Sequence, residues 1–360
     1  MKKKLKPLSK QTVVIVGASS GMGRVTALEA ARHGARVVIA ARNAAALESL
    51  AARIVREGGE AEVVIADVSD HAQVENIAER AKARFGGFDT WAHFSATAIY
   101  STFSDLQPEE FKRVIDVNLT GQAYGAMVAL RHLRHKGRGA IVFISSVEGE
   151  VSMPFHSAYA ASKHGVDGMF DALRLELAHA NSSVSLTIVR PTGVNTPFFT
   201  NARTKIGVKP RPPKPIYQPE HVAEAVLFAA ENPVRELYVG GAAKAMVLGK
   251  RWFPRLMDAY LLSSGFSGQR TRQPKESTAP TNMFTPETAD ERIHGDYSSI
   301  SKRHSCYTWL QTHPSTCALL KGLLLLIGIG WLSERLDLWD RTEARTKAER
   351  AVRRTRRRWS

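Results

Sequence analysis

Cysteine is nearly absent from this 360-residue chain: Cys306 and Cys317 are the only two. They lack metal-ligand spacing and cannot staple a disulfide framework, so a small secreted scaffold is excluded and a reducing compartment is expected. His, Asp and Glu form no cluster of metal-site character. Acidic residues are also scarce, 34 against 50 Lys and Arg, for a formal charge of +16. That excess would suit an anionic partner. Nucleic acid is nevertheless not expected, because no nucleic-acid fold motif occurs and aromatics seldom interleave the basic residues. The basic start, Met1 to Leu8, has no apolar run behind it and is not a secretory signal, which points to the cytoplasm. Internal repeats at solenoid periods are missing. No apolar stretch reaches the roughly 20 residues that a spanning helix needs.

What is present is alternation. Strand-like runs and helical patterns succeed one another from Thr12 to about Gly241, and 44% hydrophobic residues can supply a sizeable core. This order implies an α/β fold, a Rossmann-type doubly wound parallel sheet of about seven strands. The apolar run Thr12–Val16 leads into Gly17-Ala-Ser19-Ser20-Gly21-Met22-Gly23 and then a helical pattern through His33. Gly17 permits a tight exit from the strand, while Gly21 and Gly23 let backbone approach a pyrophosphate at a helix N-terminus. A lone glycine pattern can be a simple strand-to-helix turn. Here strand, loop, helix and a second strand, Arg36–Ala41, come in the order that dinucleotide binding requires.

A second constellation lies further on. Tyr159 and Lys163 are one helical turn apart in Ser157-Ala-Tyr-Ala-Ala-Ser-Lys163 and share a helix face. Alone, such a pair is an ordinary surface motif. Ser146, however, ends the strand-like run from Ala140, where its hydroxyl can hold a carbonyl. A cation beside a phenol favours the ionised form, which would bring Tyr159 below its usual pKa of roughly 10 and make it a general acid/base.

With these residues the chain resembles the classical short-chain dehydrogenases/reductases, over about residues 10–242. Gly17, Gly21 and Gly23 match the family's glycine spacing, and Ser146, Tyr159 and Lys163 its active-site triad. Asn118, in Val117-Asn-Leu-Thr-Gly121, matches the Asn that completes the tetrad. Pro191-Thr-Gly-Val194-Asn-Thr196 is similar to the loop that holds the nicotinamide carboxamide. Asp67-Val68 resembles the adenine contact, and Ser19, Ser20 and Met22 fall in the phosphate loop. The resemblance implies hydride transfer between a nicotinamide and a carbonyl or hydroxyl. Ser146 would orient the oxygen and Tyr159 move the proton. Lys163 would grip the ribose, and Asn118 would hold a relay water. It also implies a homo-oligomer through helices around Leu119–Leu133 and Ser157–His179. Two departures stand out: His93-Phe94-Ser95-Ala96 replaces the usual Asn-Asn-Ala-Gly, and Thr192 replaces a glycine.

Charge argues the cofactor. An acidic residue ending the second strand would select NAD(H) through the ribose 2′-hydroxyl. Ala41-Arg42-Asn43 offers a guanidinium instead, suited to a 2′-phosphate, so NADP(H) is expected over NAD(H). Met153, Phe155, Phe198 and Phe199 are candidate walls of an apolar substrate pocket, and Lys209–Pro215 is too proline-rich to be helical.

Three segments are expected: the nucleotide-binding domain 1–242, an extension and linker 243–316, and an apolar and basic tail 317–360. Residues 264–305, rich in Ser, Thr, Pro and charge, have the composition of a flexible linker. Arg251–Leu262 mixes aromatics with basic residues, as an interfacial helix does. Residues 317–332 are apolar, and residues 341–360 carry nine Lys/Arg and two Glu. A single crossing would part the basic tail from the catalytic domain, against the positive-inside tendency. A monotopic anchor on anionic headgroups satisfies both, so peripheral membrane contact on the cytoplasmic face is expected; a helix packed on the enzyme or a second subunit is the alternative. A non-catalytic nucleotide sensor, or a membrane scaffold on a reductase fold, competes with the enzyme reading. The complete Asn118, Ser146, Tyr159 and Lys163 set argues against it.

Overall fold

The computed structural model describes residues 5–286, 291–319, 322 and 331. Seven strands form its central sheet: β1 Thr12–Val16, β2 Arg36–Ala41, β3 Ala61–Ile65, β4 Thr90–His93, β5 Gly139–Ile144, β6 Val184–Pro191 and β7 Glu236–Val239. Their order across the sheet is β3-β2-β1-β4-β5-β6-β7, with every neighbouring pair parallel. Parallel pairing needs crossovers, and helices supply them: α1 Gly21–Arg32, α2 Ala44–Arg56, α3 His71–Phe85, α4 Pro108–Ile115, α5 Gly121–Lys136, α6 Ser157–His179 and α7 Glu220–Glu231.

Side chains alternate across the sheet and so build two cores. Val13 and Ile15 pack with Val37, Ile39, Leu28 and Val226 on one face, whereas Val14 and Val16 pack with Val38, Ile77, Phe143 and Phe170 on the other. Covered on both sides, β1 and β5 are buried along their whole lengths, which explains why they read as near-continuous apolar runs rather than alternating ones. Local caps set the helix starts. Asn43 accepts from the Ala46 amide and Asp70 from those of Ala72 and Gln73; replacing either with Ala costs about 1 kcal/mol. After β3 the chain crosses to the far side of β1. The loops leaving β1 and β4 therefore diverge, opening a crevice at the C-terminal ends of the strands.

The chain divides into two compact units, residues 1–308 and 309–360. The first includes most of the stretch expected as an extension and linker. After β7 come α8 Gly241–Trp252 and α9 Pro254–Gly268, and Pro254 takes the first helical turn, where its missing N–H costs nothing. Residues Arg270–Pro274 then pair antiparallel with Val208–Pro210, so part of the proline-rich stretch is a short strand rather than a loop.

Residues 275–286 and 291–305 are packed rather than a free linker. Met283 is fully buried, Arg113 donates to its carbonyl at 2.9 Å, and Lys275 donates to Ala202 O at 2.9 Å. Asp296 pairs with Lys209 at 2.5 Å and with Arg292 at 2.9 Å. Backbone carbonyls, ion pairs and isolated apolar contacts, Met283 and Ile293 among them, hold this segment, and none of those leaves a hydrophobic pattern.

In the second unit, Trp309 stacks on His313 with ring centroids 4.5 Å apart. Most of the expected anchor 317–360 lies outside the described residues. Among the described residues no helix is long and apolar enough to cross a membrane.

Candidate active site

A cleft at the strand ends gathers nearly all the residues expected there. Gly17, Ser19, Ser20, Gly21, Met22 and Gly23 line one end, with Arg42, Asp67 and Val68. Ser146, Tyr159, Lys163, Pro191, Val194 and Thr196 line the other. Gly17 has a left-handed φ of 88°, and a Cβ there would sit 2.7 Å from Ser95 N. A Cβ on Gly23 would strike the Gly17 carbonyl. The first turn of α1 thus lies against the strand exit only because both residues are glycine, which brings the N-terminus of the helix to the edge of the cleft. No ordinary side chain would preserve this cradle, and its shape and donors fit a pyrophosphate.

The catalytic candidates hang from β5 and α6. Ser146 lies just beyond β5, and its Oγ accepts from Glu148 N at 3.1 Å. Tyr159 and Lys163 occupy the first turns of α6, with the Lys163 ammonium 5.6 Å from the phenol ring centre. Lys163 is buried and donates to Ile144 O at 2.8 Å. Burial lowers its pKa to about 8, although Asp167 and Glu148 oppose the shift. Tyr159 does not follow expectation. Burial raises its pKa well above that of a free phenol, Glu148 pushes the same way, and a hydrogen bond with Ser146 opposes them. Desolvation of the phenolate outweighs any help from the nearby ammonium.

Asn118 stands behind the cleft wall. Its side chain accepts from Thr97 N at 2.8 Å and donates to Thr97 O at 2.9 Å and Ser162 Oγ at 3.1 Å. It sits in a π-helical turn, Asp116–Thr120, a distortion common at functional sites. Its side chain fastens the loop that follows β4 to α6.

The two departures have local explanations. His93 is fully buried, stacks on Phe143 at 5.3 Å, and has its pKa brought down to about 3 by burial and the charge of Lys163. Gly125 makes room for it: a Cβ there would lie 2.6 Å from His93 Nδ1. Phe94 packs into the core while its backbone closes on Gly17. Thr192 lines the cleft, where its hydroxyl has no hydrogen-bond partner.

Sequence reasoning missed three features. Glu148 and His156 are buried in the cleft wall, with His156 Nδ1 2.9 Å from a Glu148 oxygen. Asn282 and Pro286 also line the cleft. Their segment reaches Arg42, whose guanidinium donates to the carbonyls of Asn282 and Phe284. The Gly21 amide likewise donates to Arg292 O at 2.9 Å. A Glu two residues after Ser146 was a weak signal, and carbonyl contacts leave none. Of the four expected pocket residues, Phe198 and Phe199 line the cleft, whereas Met153 and Phe155 line a neighbouring groove.

At the end of β2, Arg42 lies 3.9 Å from Asp67, which Arg113 also contacts at 2.6 Å. Burial works against the Asp67 carboxylate, but hydrogen bonds from Arg113 and Ser69 outweigh it and hold the pKa below its ordinary value. No acidic residue occupies the Ala41-Arg42-Asn43 corner.

The short chain dehydrogenase family model matches residues 11–207, more than half of the chain. The chain belongs to this family. An uncharacterized oxidoreductase of Bacillus subtilis, YxnA, is 39% identical over 285 residues, 79% of this chain and 80% of that protein. The 3-ketodihydrosphingosine reductase of Bos taurus is 28% identical over 223 residues, 60% and 67% of the two chains. An alcohol dehydrogenase from the archaeon Thermococcus sibiricus, solved with 5-hydroxy-NADP, superposes with a TM-score of 0.56 at 27% identity. That match covers 63% of this chain and 95% of the other. Family membership and fold make this short-chain dehydrogenase an oxidoreductase acting on CH–OH or C=O groups with a nicotinamide cofactor.

Proposed function

We propose that the protein reduces the carbonyl of an apolar small molecule with NADPH, and that Tyr159 delivers the proton. The observation that carries this is the meeting of Ser146, Tyr159 and Lys163 in one cleft, with the Lys163 ammonium 5.6 Å from the centre of the Tyr159 ring. The bound cofactor supplies the hydride. Ser146 and Tyr159 direct their hydroxyls at the same substrate oxygen, which polarises the carbonyl and fixes its orientation. A phenol held neutral by burial is in the protonated form that carbonyl reduction requires. Lys163, charged at neutral pH, stabilises the phenolate left after transfer and is placed to reach a ribose. Asn118 keeps the backbone at Thr97 and the start of α6 in register.

For the 2′-phosphate, Arg42 is the residue of choice, and its bonds to two carbonyls are exchangeable for stronger charge-assisted ones. The dehydrogenase solved with an NADP derivative supports this preference. Phe198 lies 5.9 Å from the Tyr159 ring and gives the reacting centre an apolar wall. The bovine relative is named as a reductase of a 3-keto compound, which agrees with a ketone substrate. A homo-oligomer through α5 and α6 belongs to the same proposal.

The test is cofactor oxidation by purified protein over a panel of apolar ketones and aldehydes, with NADPH and NADH side by side. NADPH turnover well above that with NADH supports the reading. Equal use of both removes the Arg42 assignment, and tight NADPH binding without turnover on any compound favours the nucleotide-sensor alternative.

A further inference from the structure

We infer that α8 and α9 form a docking surface for an anionic lipid membrane. The inward face of α9 is clear: Met257, Leu261 and Gly265 follow at four-residue steps, and the first two pack into a small core with Val247. The opposite face should then be polar. Instead Leu256 is 70% exposed and Leu262 71%, and at the junction with α8 Trp252 is 70% and Phe253 65% exposed. Tyr260, one turn beyond Leu256, is exposed as well. Scattered exposed apolar residues need no explanation, but several large ones gathered along α9 and its junction with α8 mark an interaction site.

Charge selects the occupant. Lys250, Arg251 and Arg255 flank the strip at the helix junction, and the nearby acid, Asp258, is 2.6 Å from Lys250. A two-fold dimer through this face would set one basic patch against its own copy. Anionic headgroups complement it, and Trp and Tyr with Arg at the rim form the composition of a helix lying in a membrane interface. The strip also adjoins the groove beside the reacting centre. Phe266 of α9 stacks edge-on against Phe155 at 5.0 Å, and Phe155 packs in one cluster with Tyr159 and Phe198. An apolar substrate dissolved in lipid would meet an apolar groove next to the cleft.

The experiment is co-sedimentation of the full-length protein with vesicles of phosphatidylcholine alone or mixed with phosphatidylserine. Wild type should sediment with the anionic vesicles and less with the neutral ones. Trp252→Ser with Leu256→Ser should weaken that binding by at least about tenfold, with unchanged turnover of a water-soluble carbonyl. Arg251→Glu with Arg255→Glu should abolish the preference for phosphatidylserine. Absence of wild-type binding overturns the inference. So does undiminished binding by the Trp252/Leu256 variant, which would assign the contact to another part of the chain. Conversion of an oligomer to monomer by that variant without lipid would make a second copy the occupant. None of these results depends on whether the protein is a reductase, so the two readings fail separately.

Discussion

The two ends of the cleft are built differently. At the Tyr159 end, side chains on rigid elements face the cleft: Ser146 at the exit of β5, Tyr159 and Lys163 on the first turns of α6. At the Arg42 end, a distant segment has been laid over the site, and its carbonyls already occupy donors suited to a phosphate, the Gly21 amide and the Arg42 guanidinium. Under the proposed mechanism the first end carries the chemistry and tolerates little change. The second is an exchange of hydrogen bonds, and its energetics are tunable.

Predictions that separate the two ends run from large effects to small. Lys163→Met removes the charge at the Tyr159 end with little change in volume. Turnover should fall by about a thousandfold, in the upper range for loss of acid–base catalysis. A drop of less than about tenfold, measured by steady-state kinetics, would deny Lys163 its role.

At the other end, Arg42→Ala should raise the Kd for NADPH by roughly 10- to 100-fold, the value of one hydrogen bond to a charged group, and leave NADH unchanged. Calorimetric titration with both cofactors decides this; equal losses would mean that Arg42 only braces the cleft. Gly295→Val tests the overlying segment. A Cβ at 295 would lie 2.6 Å from Thr196 O, so the segment must shift and release its hold on the Gly21 amide. NADPH should then bind about fivefold more tightly, the worth of one net hydrogen bond. Weaker binding would show that the segment clamps the cofactor rather than competing with it.

The smallest effect concerns pH. Lys163, with its pKa lowered to about 8 by burial, is charged below that pH and loses its charge above it. Reduction should be level near pH 6–7 and decline as pH rises through about 8. A plateau extending to about 10, where an unperturbed lysine titrates, would contradict the assignment.

Legibility in the sequence follows the same division. The sheet could be read because Val13 to Val16 serve two cores at once and appear as an unbroken apolar run. The site could be read because Tyr159 and Lys163 must be four apart to share a helix face, and because Gly17 and Gly23 each stand where a Cβ would collide. Residues 275–305 could not be read. Met283 and Ile293 are isolated apolar contacts and many of the other anchors are carbonyls or surface ions, so the composition matches that of an unstructured linker. The direction of the Tyr159 shift was equally hidden. Spacing reveals the ammonium beside the phenol, but burial and the neighbouring Glu148 emerge only from packing. The apolar pocket was half legible, since Phe155 turned toward the groove beside α9 instead of the cleft.

The most direct test of the account is Tyr159→Phe, with NADPH affinity and ketone reduction measured on the same preparation. Removing one hydroxyl should leave the NADPH Kd within about twofold and reduce turnover by at least about a hundredfold. Turnover that survives the substitution would contradict the account, because the proton would then come from a group other than the phenol on α6.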